Sequence, residues 1–213
     1  MQRLWGVKMK PLSNIRVYEL AESIYASGYP MMVEIPQGEA WINEVSKIHN
    51  DITQKIENPH VKRAIKLANA KGGGHDQFLT GILVAFDLTL TQKAWVEAER
   101  YTFLNFVSSQ STMHRISKMD IKEMCSARVD ERVIDVLNEK IDKYNQTQSL
   151  EDYRDVLANI PSGMRLTARM TTNYRCLKNI YHQRKTHRLE EWRLLCEQIE
   201  ELPMAKELIV GCE

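Results

Sequence analysis

The chain reads as an α+β protein folded as one domain, rich in helix. Three observations carry that reading. One segment alternates strictly between apolar and polar positions, several others repeat at helical spacing, and no linker divides the chain. The length of 213 residues, with 43% hydrophobic and 27% charged content, suits one domain with a sizeable core. The alternating segment is Ile82–Leu90. Ile82, Val84, Phe86, Leu88 and Leu90 fall on one side and Leu83, Ala85, Asp87 and Thr89 on the other, the period of a strand.

The remaining elements follow in chain order. Helical periodicity predicts helices over Asn14–Ser27, Glu39–Glu57 and Pro59–Ala70, the last with Val61, Ile65 and Leu67 along an apolar side. The glycines Gly72–Gly74 and then His75 lead into the strand. Neither a G-x-x-x-x-G-K nor a G-x-G-x-x-G context surrounds them, so the residues read as a turn. Thr91 is placed to cap a long helix reaching Val107. The run Ser108–Arg115, SSQSTMHR, is too rich in hydroxyls for a helix interior and reads as a loop and candidate site. Helices over Glu131–Tyr144 and Ser149–Ala158 precede a turn at Pro161 that feeds another helix. A last helix over Leu189–Glu201 buries Trp192, Leu195 and Ile199.

Composition narrows the function classes. The net charge of +1 argues against a general coat for nucleic acid or a polybasic membrane binder. No run of about 18 apolar residues appears, and residues 1–12 lack the apolar core of a signal peptide. Cys125, Cys176, Cys196 and Cys212 have no C-x-x-C spacing, which argues against a zinc knuckle or disulfide scaffold and for a reducing, cytoplasmic compartment. Cys176 and Cys196 read as small buried hydrophobes and Trp192 as core. No pair of histidines stands at the i, i+4 spacing of a metal site.

The densest functional signal is Ile160–Trp192. Arg175, Asn179, His182 and Thr186 share a helix face, with Arg184, His187 and Arg188 close behind. From Arg165 through Leu189 there is no Asp or Glu, so the stretch looks built to receive a small anion.

The pattern I-P-S-G-x-x-x-T-x-x-x-T-T-N-x-R-x-L-x-N, from Ile160 to Asn179, with Arg184 and Trp192 beyond it, resembles the C-terminal signature of flavin-dependent thymidylate synthases. Gly74-His75, the strand, a helix and the serine-rich run occur in the family's order, and the resemblance spans about two thirds of the chain. It implies an antiparallel sheet core flanked by long helices, the fold of thymidylate synthase-complementing proteins. It also implies FAD as cofactor, a dUMP-like pyrimidine nucleotide as substrate, methylenetetrahydrofolate and NADPH as co-substrates, and a homotetramer with sites at subunit interfaces. Carried over by residue, Arg184 is the catalytic cation that holds or polarises the pyrimidine. His75, Asn173, Arg175, Asn179, His182 and Arg188 face the flavin. Arg100, Ser109, Gln110, Ser111, His114, Arg115 and Arg169 serve the substrate, with either His114 or Arg115 taking the phosphate. The chain departs from the family where Arg-His-Arg-x-x-Ser is expected. Glu99-Arg100-Tyr101-Thr102 stands there instead, and Glu190-Glu191 replaces Ala-Gln before the tryptophan.

Two other classes fit the same residues. One is a non-catalytic nucleotide-binding or sensing protein on this scaffold. The other is a nucleic-acid-binding accessory protein that would use Arg175, Lys178, Arg184, Lys185 and Arg188.

Overall fold

A computed structural model describes residues 10–71 and 74–211. Its centre is a four-stranded sheet of order β1-β2-β4-β3, with every neighbouring pair antiparallel. The strands are β1 (Leu12–Tyr18), β2 (Leu83–Thr91), β3 (Asn105–Ser109) and β4 (Arg165–Asn173). The helices are α1 (Leu20–Ala26), α2 (Gly38–Gln54), α3 (Pro59–Ala68), α4 (Gln92–Ala98), α5 (Thr112–Arg115), α6 (Ile121–Met124), α7 (Glu131–Thr147), α8 (Leu150–Ala158), α9 (Tyr174–Arg184) and α10 (Glu190–Glu200). A π-helical turn, Lys206–Val210, closes the described chain.

Side-chain alternation explains the layering. Val84, Phe86, Leu88 and Leu90 of β2 pair with Thr172, Met170, Ala168 and Leu166 of β4. This face packs against the helices, and Phe86, Leu88 and Leu90 are each 1% exposed or less. Trp192, Leu195 and Ile199 of α10 and Tyr174, Leu177 and Ile180 of α9 complete the same core. The other face carries Tyr18, Leu83, Ala85, Asp87, Thr167, Arg169 and Thr171, all partly or well exposed. A second, smaller core lies within residues 116–164, where Ile134, Leu137 and Ile141 of α7 meet Val156 of α8 and Ile116, Ile121, Cys125 and Met164.

Caps set several helix ends. Asn58 accepts from the His60 and Val61 amides ahead of α3, where Pro59 begins the first turn. Thr91 accepts from the Ala94 amide and starts α4, as its place after the strand predicts. Lys178 and Arg175 of α9 tie down the turn after His75 through Asp76, at 3.1 and 3.4 Å.

Four expectations need correction. Asn14–Ser27 is not one helix. Its first part is β1, and Glu19, at φ 60°, turns the chain into α1. The helix after Thr91 ends at Ala98, and residues 105–109 form edge strand β3. The run Ser108–Arg115 is therefore the end of a strand followed by the helical turn α5. After the Pro161 turn the chain enters β4, and the helix begins only at Tyr174. The helices expected over Glu39–Glu57, Pro59–Ala70, Glu131–Tyr144, Ser149–Ala158 and Leu189–Glu201 are found within a few residues of their expected ends.

Candidate functional site

The strand-to-helix junction β4–α9 sets most of the residues expected at a flavin. Asn173 ends β4 and its side-chain oxygen accepts the Cys176 amide at 2.9 Å, so it caps α9. Arg175 follows within the first turn. Its Nη1 donates to Gln77 Oε1 and its Nε lies 3.4 Å from Asp76 Oδ1. Asn179 lies exposed farther along α9, and the His182 Nε2–H donates to the Ile209 carbonyl at 3.1 Å. His75 is exposed just before Asp76, while Gly72 and Gly73 lie outside the described residues. Arg188 is exposed beyond the end of α9. The junction thus gathers Asn173 and Arg175 with the turn after His75 at the start of α9, whereas Asn179 stands mid-helix and His182 and Arg188 lie toward the other end.

Arg184, the expected catalytic cation, ends α9 in a compact knot. Its Nη1 donates to Glu97 Oε2 at 3.0 Å and its Nε to the Tyr101 hydroxyl at 2.8 Å. The guanidinium carbon sits 4.8 Å from the Trp192 ring centroid and 5.6 Å from that of Tyr101. The same Glu97 oxygen accepts the Trp192 indole N–H at 3.1 Å and lies 3.3 Å from His187 Nε2. Trp192 is fully buried, in agreement with its reading as core.

The residues expected at the substrate lie elsewhere. Ser109 ends β3, and Gln110 continues the pairing. Its amide donates to the Thr167 carbonyl, and its side chain accepts from the Thr167 amide. Ser111 precedes α5, on whose last turn His114 and Arg115 are exposed. Arg100 is exposed after α4. Arg169 stands mid-strand on the outer face of the sheet, donating to the Asn14 carbonyl and to Asp87 Oδ1 at 3.2 Å. The Asn14 amide and the Arg169 guanidinium hold the Asp87 carboxyl below the usual carboxylate range. Thr167, beside Gln110, and Asn173 are six residues apart in β4. At about 3.3 Å per residue this sets Gln110 roughly 20 Å from Asn173, with Arg169 between them on the same strand.

The acid-free character of Arg165–Leu189 acquires a structural meaning. Four of its bases are met by acids distant in sequence: Arg169 by Asp87, Arg175 and Lys178 by Asp76, and Arg184 by Glu97, whose carboxylate also lies beside His187. Three of the five bases considered for nucleic-acid contact, Arg175, Lys178 and Arg184, are engaged in this way.

The outer face of the sheet also shows what sequence reasoning missed. Tyr18, Leu83, Ala85, Asn105, Thr171 and Asn173 line a cleft of about 330 Å³ across the ends of the four strands. Leu83 and Ala85 give it an apolar floor, and Asn105, Thr171 and Asn173 give it amide and hydroxyl groups. Arg16, paired in register with Ala85, is exposed beside it. This size and mixture fit a planar cofactor ring with polar edges. The only signal in the sequence was the alternation of β4, which places Thr171 and Asn173 on one face.

The three described cysteines are buried and free. Burial raises the thiol pKa of Cys125 and Cys176 and pushes that of Cys196 up to about 12, so none is set up as a nucleophile.

Neither a family model nor a curated protein matches the sequence. Solved structures do match. One is the flavin-dependent thymidylate synthase ThyX from Helicobacter pylori, complexed with FAD and dUMP. It aligns with a TM-score of 0.65 and 14% identity over 94% of this chain and 98% of its own. A second structure of Helicobacter pylori ThyX with FAD and dUMP gives a TM-score of 0.57 and 15% identity over 77% and 90% of the two chains. The UMP/dUMP methylase PolB from Streptomyces cacaoi, bound with 5-Br dUMP, gives 0.53 and 13% over 93% of each. Such identities speak for architecture alone, and on architecture they agree: this α+β chain, with its four-stranded antiparallel sheet and flanking helices, has the fold of the flavin-dependent thymidylate synthases.

Proposed function

We propose that this chain is a flavin-dependent enzyme that transfers a one-carbon unit to a pyrimidine deoxynucleotide, dUMP or a close relative. The observation that carries the proposal is positional. The segment Thr171-Thr172-Asn173-x-Arg175 opens onto a ring-sized cleft, in a fold otherwise found holding FAD and dUMP. Reduced FAD would supply the hydride. Asn173, Thr171 and Asn105 would orient its ring through their amides and hydroxyl, with Arg175 at the neighbouring helix end and Asn179 and His75 also toward the flavin. Gln110, Ser111 and Arg115, joined by His114, Arg100 and Arg169, would serve the nucleotide, with methylenetetrahydrofolate and NADPH as co-substrates, whereas Ser109 turns to the helix side of the sheet.

The separation of roughly 20 Å between Gln110 and Asn173 favours a shared site. In a homotetramer, the β4–α9 junction of one copy and the serine-rich segment of another would complete each other. The outer sheet face, apolar and polar by turns, would supply part of the contact.

A second reading has its own support. Arg184 is already neutralised by Glu97 and held between two rings. A chain whose expected catalytic cation serves the scaffold could bind a nucleotide without turning it over.

Purified protein titrated with FAD and with dUMP tests both readings. A ligand at 100 times its Kd stabilises the fold by about 2.7 kcal/mol, a clear rise in Tm. Stabilisation by both ligands, with a methylated nucleotide detected by mass spectrometry once methylenetetrahydrofolate and NADPH are added, is the expected outcome. Binding of dUMP without product supports the second reading. If neither ligand shifts Tm, both are lost.

A further inference from the structure

A different pocket lies on the helix side of the sheet, at its β3 edge. Trp95, Ala98 and Glu99 from the end of α4, Leu104 and Phe106, and Ser109, Leu166 and Met170 surround a mostly apolar slot of about 190 Å³. The register explains why these residues meet. Phe106 and Ser109 pair with Met170 and Ala168, so they take the face of the sheet opposite to Asn105 and Thr171, which open onto the cleft described above.

The slot is pre-formed. The Trp95 indole N–H donates to the Leu166 carbonyl at 3.1 Å, which fixes the ring, and Phe106 stands 6.1 Å away at 70°. On the lining, Phe106 is 58% exposed, an apolar ring left open to an occupant. Size limits the occupant. A dry cavity of about 150 Å³ takes benzene and drug-sized ligands need upward of about 300 Å³, so this slot suits one ring or a compact fused pair.

Its polar groups limit the chemistry. Glu99 is the single ionisable side chain on the lining, and Ser109 supplies the single hydroxyl. A carboxylate accepts and cannot donate, so it repels phosphate and the carbonyl-rich edge of uracil. An exocyclic amine beside a protonated ring nitrogen presents two parallel donors, which match a carboxylate in bidentate fashion.

We propose that the slot between α4 and β3 is a binding site for a planar, amine-bearing heterocycle of aminopyrimidine type in its ring-protonated form, packed against the Trp95 and Phe106 rings and recognised by Glu99 with Ser109. The site lies across the sheet from the flavin cleft and does not depend on the flavin reading.

Full-length protein titrated with 2,4-diaminopyrimidine and, separately, with uracil tests it, with Trp fluorescence and calorimetry as readouts. The diamine is expected to bind and uracil not. Glu99→Gln, at an exposed position that folding tolerates, should weaken diamine binding by about fivefold or more, a charged hydrogen bond discounted for solvent. Phe106→Ala should weaken it as well. Equal binding of uracil, unchanged affinity in Glu99→Gln, or no diamine binding at millimolar concentration would overturn the proposal. A Tm shift with FAD on the same samples reports on the flavin reading separately.

Discussion

Glu97 and Arg184 meet at 3.0 Å where α4 approaches the end of α9, with side chains only 21% and 12% exposed. One carboxylate oxygen there serves a guanidinium, an indole N–H and an imidazole nitrogen, so it ties α4, α9 and the start of α10 together. Removing one member strands a poorly solvated charge. Glu97→Ala is expected to lower stability by about 2–4 kcal/mol, and a double-mutant cycle with Arg184→Ala should return a coupling above about 1 kcal/mol in urea unfolding. Nucleotide affinity then separates two roles. If Arg184 also reaches the pyrimidine, Arg184→Ala abolishes dUMP binding in folded protein while Glu97→Gln retains it. Equal affinities in the two variants would assign Arg184 to the scaffold alone.

Glu191 illustrates a different use of a carboxylate. It is 6% exposed and accepts from the Thr91 hydroxyl at 2.6 Å and the Thr91 amide at 3.2 Å, fastening the start of α10 to the end of β2. Glu191→Ala leaves two buried donors without acceptors and should cost about 2–3 kcal/mol. Glu191→Gln keeps one good acceptor and should cost about half as much in the same unfolding measurement.

Helices were legible in the sequence where one face is consistently apolar, as in α2, α7 and α10, and β2 was legible because its alternation is unbroken. Three strands were not: β4 was read as part of the helix after the Pro161 turn, and β1 and β3 are irregular. In β1 the register shifts between Ser13 and Arg16, with Asn14 at φ 49°, and in β3 it shifts between Phe106 and Ser108. A bulge inserts a residue and breaks the period of two on which a strand is recognised. Misreading those strands as helix hid the cleft, because Tyr18, Arg16 and Asn105 belong to one sheet face only once β1 and β3 are in place. The polar residues of α9 were visible, but their partners were not. Asp76 and Glu97 are about 80 to 100 positions away in sequence from Arg175, Lys178 and Arg184, and only tertiary structure brings them together.

Gly163 shows how tightly the Pro161 turn is packed. A Cβ added there would lie 2.5 Å from Val129 Cγ2, and the Gly163 carbonyl accepts the Ser126 amide at 2.9 Å, so backing away breaks a hydrogen bond. Gly163→Ala is expected to destabilise the protein by about 1–3 kcal/mol, as overpacking does. Val129→Ala should recover most of that loss in the double variant, since it removes the clashing methyl groups. Failure of the rescue would place the cost in the backbone instead.

Two histidines set the response to mild acid. Burial lowers the pKa of His60, and Arg63 lowers it further against a smaller opposing pull from Glu44. Its Nδ1 accepts from the Arg63 guanidinium at 3.1 Å, so a proton there would place donor against donor. Burial likewise lowers His182, outweighing its hydrogen bond to the Ile209 carbonyl. In the unfolded chain both titrate near about 6.5. Below that pH the unfolded state therefore takes up protons that the folded state resists, and stability falls with falling pH, whereas above it both forms are neutral and stability is flat. Asp130, held down at about 2, and the lowered Asp87 and Asp152 carboxyls titrate well below this window. The expected result is a lower Tm at about pH 5.5 than at about pH 7.5, with the difference cut to about half or less in the His60→Gln, His182→Gln double variant. Glutamine can still offer Arg63 an acceptor and the Ile209 carbonyl a donor, so the double variant removes the titration while leaving the contacts. An unchanged pH dependence would show that other groups govern acid stability.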